Sequence, residues 1–264
     1  MRGKAYPSAI WLAAGLAALL STPLATLLPG QEPPPGELER LMQLSSSGAA
    51  KEGSRSAGDW VSRCREQVQS ARTYTSWLIK RDFLMPHLQP RGFAYVEWRL
   101  EAVRPDRLHV RQVIHEQAPL GELREERIAI GAEHFLGGAS WSKADAQSAA
   151  DYAELNRFLL LDKFAELLRV SKFILLGTVT SNGRRYALLE TDHARITGYP
   201  MLSEFSEVKG RARVWIDEET GLPAKVELEF KGKDAGDNPV HKGFAQVFTA
   251  YNQPLTIDPP PLKP

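Results

Sequence analysis

Gly210-Arg-Ala-Arg-Val-Trp-Ile-Asp-Glu-Glu-Thr-Gly-Leu-Pro-Ala-Lys-Val-Glu-Leu-Glu-Phe230 contains two strands and the turn between them. Ala212, Val214 and Ile216 alternate with Arg211, Arg213 and Trp215, and Val226, Leu228 and Phe230 alternate with Lys225, Glu227 and Glu229. A period of two is the signature of strands with one buried face. Asp217 to Pro223 supplies turn-forming Asp, Thr and Gly, and its proline opens the return strand. Pairing Ile216 with Ala224 puts Val214 opposite Val226, Arg213 opposite Glu227 and Arg211 opposite Glu229. Apolar then meets apolar and plus meets minus, whereas a slip of one residue would turn every side chain to the wrong side. The hairpin has one apolar face, and that face needs something to cover.

The same pattern recurs upstream. Tyr74 to Phe83 is strand-like, Phe93 to Val103 carries Val96, Trp98, Leu100 and Ala102 on one face, and Arg107 to His115 carries Leu108, Val110 and Ile114. Ile128 and Ile130 continue the series. Downstream, Phe173 to Thr180 and Arg184 to Thr191 flank an Asn182-Gly183 turn, and a further strand runs from about Gly243 to Tyr251. Strand following strand through short turns implies antiparallel meanders rather than crossover units. Two helical stretches interrupt them. Asp59 is placed to cap a helix that turns Trp60, Val61, Cys64, Val68 and Ala71 to one side, and Ser148 to Val170 spaces Tyr152, Leu155, Leu159, Leu160, Phe164, Leu167 and Leu168 on a broad apolar face, with a break near Asp162. His193 to Lys209 reads as an irregular insertion.

The N-terminal region differs in kind. Arg2 and Lys4 precede an apolar run from Ile10 to Leu28, the layout of a signal peptide or retained N-terminal anchor over residues 1–30. Residues 31–58, with Pro33-Pro34-Pro35 and Ser45-Ser46-Ser47, read as a Pro/Gly/Ser-rich tether that has room for a short helix from Glu37 to Leu44. Residues 59–264 read as a single folded domain. The protein is therefore expected to be periplasmic or otherwise extracytoplasmic.

Composition narrows the function. With 33 basic and 32 acidic residues the net charge is +1, without the basic excess of a nucleic-acid binder. The one cysteine, Cys64, excludes an intrachain disulfide and a multi-cysteine metal site, and its helical position reads as buried and inert. His109 and His115 share a strand face six residues apart, about 20 Å, too far to grip one metal. They read as a solvated face. Asp217, Glu218 and Glu219 read as turn chemistry rather than a catalytic pair. A nucleophile elbow, a phosphate loop and a dinucleotide fingerprint are all missing, so no catalytic residue, metal or cofactor is expected.

Val214-Trp215-Ile216-Asp217-Glu218-Glu219-Thr220-Gly221-Leu222-Pro223, followed thirty residues on by Tyr251-Asn252-Gln253-Pro254-Leu255-Thr256-Ile257 and prolines, resembles the closing half of the LolA/LolB and LppX/LprG superfamily of periplasmic lipoprotein and lipid carriers. Residues 59–261 resemble a divergent secreted branch of it. The resemblance implies an α+β fold, a strongly curved antiparallel half-barrel lidded by helices over an apolar cavity. It also implies a non-enzymatic protein that binds a lipid, acyl chain or other hydrophobic ligand, with transient membrane contact or contact through an uncleaved N-terminal segment. Lipoprotein members carry an acylated cysteine after the signal, and this chain has none there. The expected lining is Val96, Trp98, Leu100, Leu108, Val110, Leu159, Phe164, Val214, Ile216, Val226, Leu228 and Phe230. Period-two apolar faces look the same when they close into a dry packed core, and a cell-envelope protein-binding or sensor module with such a core is the rival reading.

Overall fold

The computed structural model describes residues 37–46, 49, 55–82, 96–115, 122–137, 140–150, 161–191 and 205–262, all within one compact unit, Pro33–Pro264. The leader expected at residues 1–30 and the expected lining residue Leu159 lie outside the described residues. Among those described, no helix is long and apolar enough to cross a membrane.

Among the described residues the elements follow in the order α1 (Glu37–Gln43), α2 (Ala57–Ser70), β1 (Thr73–Asp82), β2 (Val96–Val103), β3 (Arg107–His115), β4 (Glu122–Ile130), β5 (Glu133–Gly137), β6 (Ser142–Lys143), α3 (Leu161–Val170), β7 (Phe173–Ser181), β8 (Arg184–Thr191), β9 (Ser206–Asp217), β10 (Pro223–Lys233) and β11 (Pro239–Thr249). Residues 146–150 are also helical. The strands form one sheet in the order β6-β5-β4-β3-β2-β1-β11-β10-β9-β8-β7. Two meanders, β1 to β6 and β7 to β11, thus meet where the first strand pairs with the last. The outermost strands β6 and β7 do not pair with each other, so the curved sheet stays open.

The β9–β10 hairpin keeps the charge-matched register. Val214 pairs with Val226, Arg213 with Glu227 and Arg211 with Glu229. At the turn the expectation fails by one residue: Ile216 pairs with Pro223, not Ala224, and the ladder shifts between Pro223 and Lys225. One extra residue on β10 makes this a bulge. Strand β9 also begins at Ser206, inside the stretch read as irregular.

The hairpin does not have one buried face; near its turn it has two. Ala212, Val214, Ile216, Leu228 and Phe230 join the main core with α2 and α3. On the opposite face Trp215 and Ala224 pack with Tyr186, Leu188 and Val247 beneath Leu41 and Leu44. The short helix expected inside the tether is therefore α1, docked on the outer side of the sheet. Lys225, only 1% exposed, fastens it: its ammonium donates to the carbonyls of Met42 (2.8 Å) and Leu44 (2.7 Å), pairs with Glu227 at 2.7 Å and lies over the Trp215 ring. A buried cation is tolerated only when paired and hydrogen-bonded, and the two carbonyls come from the C-terminal end of α1 and the residue just past it, where carbonyls lack helical partners. A third cluster, Ile128, Phe135 and Ile257, seats the C-terminal tail on the outer face of the other meander. Arg107 holds it there by donating to the Ile257 carbonyl at 2.7 Å.

Helix α2 begins one capping box earlier than the sequence suggested. Ser56, not Asp59, is the N-cap; its hydroxyl accepts from the Asp59 amide, and the Asp59 carboxylate accepts from the Ser56 amide. Each satisfies an amide that the helix start leaves open.

Candidate functional site

Ladder registers place the inner-face side chains in rows. One row is Ser76, Leu100 and Val110 with Phe248; the next is Leu78, Trp98 and Gln112 with Gln246, Val226, Val214 and Leu189; the next is Lys80 and Val96 with Phe244, Leu228 and Ala212. Lys242 and Phe230 lie beyond it. Of the expected lining residues, Val96, Trp98, Leu100, Leu108, Val110, Phe164, Val214, Ile216, Leu228 and Phe230 belong to one buried cluster, and Val226 packs against it partly buried.

That face has two ends. At the first, α2 and α3 close over Tyr74, Phe248 and Tyr251. Phe164 of α3 meets Phe248 with ring centroids 6.1 Å apart, and Tyr74 lies 6.3 Å from Phe248. The helices are fastened by polar groups whose positions follow from helix-end chemistry. The Leu161 amide, one of the donors that the start of α3 leaves open, donates to the Tyr74 hydroxyl at 3.0 Å. Arg104, in the β2–β3 turn, donates to the α2 carbonyls of Val68 (2.6 Å) and Ala71 (3.1 Å) and pairs with Asp162 in the first turn of α3. One guanidinium thus caps one helix and neutralises an acid at the start of the next. Burial raises the pKa of the Tyr74 hydroxyl and of the Cys64 thiol, which leaves both neutral and unreactive.

At the other end no described helix covers the sheet. Phe205, Val208, Val226, Val240 and Phe244 are partly buried there. Phe230 links Phe205 (centroids 5.0 Å apart) to Phe244 (6.3 Å, nearly parallel). Gly210 makes this ladder feasible: a Cβ there would stand 2.4 Å from the Glu229 carbonyl oxygen and 2.7 Å from Phe230 Cβ. The Lys80 ammonium lies 5.9 Å above the Phe244 ring and that of Lys242 lies 4.9 Å above Phe205. Polar side chains between the two ends bond to one another: Trp98 Nε1 donates to Gln112 Oε1 at 3.0 Å, and Gln246 Nε2 to Ser76 Oγ at 3.0 Å.

Sequence reasoning missed Phe205, Gly210, Phe244, Lys80 and Lys242. The β11 alternation Val240, Lys242, Phe244, Gln246, Phe248 carried the signal, because its face follows from the β10 register. Phe205 had no such signal, standing just before β9 in the stretch read as irregular.

The polar groups that invited chemical readings have structural partners. Asp217 Oδ1 accepts from the amides of Glu219 and Thr220, both at 2.9 Å. Glu218 accepts from Thr178 Oγ1 (2.8 Å) and Arg185 Nε (2.9 Å), while Arg63 donates to the Glu218 and Glu219 carbonyls. His109 does not stand on a plain solvated face. Its side chain is 13% exposed, with Nδ1 3.0 Å from Glu101 Oε2 and Nε2 2.6 Å from Glu126 Oε1, and Arg111 donates to the same Glu126 oxygen. Burial pushes the imidazole pKa down, but the hydrogen bonds to Glu101 and Glu126 outweigh it and the net shift is upward; Glu101 and Glu126 are both lowered by their bonds to His109. Among the described residues no three His, Cys, Asp or Glu side chains are arranged to hold a metal ion.

No protein-family model matches the chain, and no curated protein matches it by sequence. Solved structures do resemble it. LprF from Mycobacterium bovis is similar with a TM-score of 0.53 at 10% identity, over 76% of this chain and 95% of that one. The Mycobacterium tuberculosis lipoprotein LppX gives 0.48 at 12% identity, over 76% and 100%. A LolA superfamily protein from Nitrosomonas europaea gives 0.27 at 10% identity, over 77% and 96%. At these identities the likeness is one of fold. An open, curved antiparallel sheet with α2 and α3 against its inner face, shared with LprF at the level of fold, is the architecture that the closing motifs led us to expect.

Proposed function

We propose that the protein is a non-enzymatic, extracytoplasmic binder of a lipid or acyl chain, and that the ligand occupies the uncovered end of the inner face. The observation that carries this reading is the continuity of the apolar cluster: it runs from side chains sealed under α2 and α3 to the partly buried Phe205, Val208, Val226, Val240 and Phe244. Burying apolar surface contributes about 25 cal/mol per Å² removed from water, so such a surface holds an acyl chain without specific polar contacts. The two rival readings of the alternating strands then apply to different ends, a packed core beneath the helices and a binding surface beyond them. Export is supported by the leader-like composition of residues 1–30.

Native mass spectrometry of the protein recovered from its host, with lipid extraction, tests the proposal. Copurified lipid, displaced by a fluorescent fatty acid, is the expected result; no bound lipid and no fatty-acid binding would overturn it.

A protein-binding role has separate support at the sheet edge. Strand β7, Phe-Ile-Leu-Leu-Gly-Thr-Val-Thr-Ser, ends the sheet without a charged residue, and Ile174 is 52% exposed. Uncharged edges invite strand addition. Ile174→Lys should abolish any partner captured through this edge and leave lipid binding intact.

A further inference from the structure

We infer that Gln112 makes the inner face selective for ester-linked lipids, by donating its amide hydrogens to the carbonyl at the root of the acyl chain. This rests on the lipid-binding reading above and adds the chemistry of the linkage.

Gln112 faces inward from β3, directly opposite Trp98 of β2, in the row that continues through Leu78 and Gln246 to Val226. Trp98 is buried and Gln112 is half-buried. The Trp98 indole Nε1 donates to Gln112 Oε1 at 3.0 Å. An indole nitrogen can only donate, so the amide oxygen is the atom of Gln112 that must answer it, and this fixes the orientation of the amide. Its NH2 group is left with two hydrogens that the indole cannot take up. Among the described residues no group accepts them. Glu125, opposite Gln112 on β4, accepts instead from Arg127, and the other amide of the row, Gln246, donates to Ser76. A donor held in one direction beside apolar surface interacts more strongly with an acceptor than it would in open water, and a ligand that offers no acceptor forgoes that bond. The apolar surface lies within reach. Val226 in the same row and Phe244 in the next are partly buried, and three strand spacings, roughly 14 Å, separate β3 from β11. A chain with its carbonyl at Gln112 therefore runs along the sheet toward Phe244 and Val226. An ester places a carbonyl oxygen at that point, whereas the oxygen of an ether is a much poorer acceptor.

The test is calorimetric titration of the full chain with dioctanoylglycerol and with its ether analogue dioctylglycerol, which lacks the carbonyls. The wild-type protein should bind the ester about three- to tenfold more tightly, the value of one hydrogen bond. Two variants remove the donor. Gln112→Met keeps the bulk and loses both polar atoms, while Gln112→Glu, ionised at about pH 8, keeps an oxygen for Trp98 and has no hydrogen to give. In each the ester should fall to the affinity of the ether, whose own affinity stays unchanged. Gln112→Glu carries the test alone should Gln112→Met, which leaves the indole unpaired, fail to fold. Equal wild-type affinities, or an ester preference that survives in the folded variants, would overturn the assignment to Gln112 and leave the lipid-binding reading standing. Equal losses for both lipids would also overturn it, marking Gln112 as a packing residue alone. Failure of both lipids to bind the wild-type protein would overturn the lipid-binding reading itself and this inference with it.

Discussion

Two aromatic groups stand on the same sheet face, and their surroundings separate a core from a surface. Tyr74, Phe164, Phe248 and Tyr251 are covered by α2 and α3, and those helices are fastened by Arg104, Asp162 and the Tyr74 hydroxyl. Phe205, Phe230 and Phe244 have no helix over them among the described residues; Phe205 and Phe244 are partly buried, with the Lys242 and Lys80 ammonium groups over their rings, and Phe230 between them is buried. Ring packing is similar in the two places. What differs is the helical cover, and that difference marks where the proposed ligand would compete.

Substitutions sharpen the contrast. The largest effect is expected from Phe248→Ala, which opens a cavity under the helices and should cost about 3–5 kcal/mol in chemical denaturation. Arg104→Ala should cost about 2–3 kcal/mol, because the carbonyls of Val68 and Ala71 and the Asp162 carboxylate lose a charged donor together. A smaller effect belongs to the outer face. The fold raises the pKa of His109, so its contribution to stability is complete below its ordinary value of 6.5 and is lost as pH rises through the higher folded value. The lowered values of Glu101 and Glu126 act in the opposite sense, contributing above 4.5 and failing as pH falls through the depressed range. Stability to chemical denaturation should therefore decline as pH rises above 6.5, and His109→Gln should flatten that decline. Phe205→Ala should have the smallest effect on stability, under about 1 kcal/mol, yet weaken lipid binding severalfold. A Phe205 variant as unstable as Phe248→Ala would erase the distinction between the two ends.

Most of the fold was legible from the alternation of apolar residues, because a strand's period of two fixes both its existence and its buried face. Strands β3 and β8 match the expected bounds, and the charge pairs Arg213–Glu227 and Arg211–Glu229 predicted the hairpin register. Less legible was anything decided by what lies against a face. Trp215 and Lys225 stood on the side read as polar, and both are buried because α1, from a Pro- and Ser-rich stretch, folds over them. His109 looked solvated for a related reason: Glu101 on β2 and Glu126 on β4 reach it only through the ladder. That ten of the twelve residues named in advance share one buried cluster was legible from alternation, whereas the division of that face into covered and uncovered ends was not. That division depends on helix placement, to which strand periodicity is blind.

The seam between β1 and β11 has a consequence for folding. Each meander can form from neighbouring hairpins, but the bond from Gln246 to Ser76 joins residues 170 positions apart. Closing so long a loop carries an entropic cost that local hairpins avoid, and non-local pairing of this kind slows folding. During synthesis β1 must wait for β11 to emerge, so the inner face can become one continuous surface only once β11 has been made.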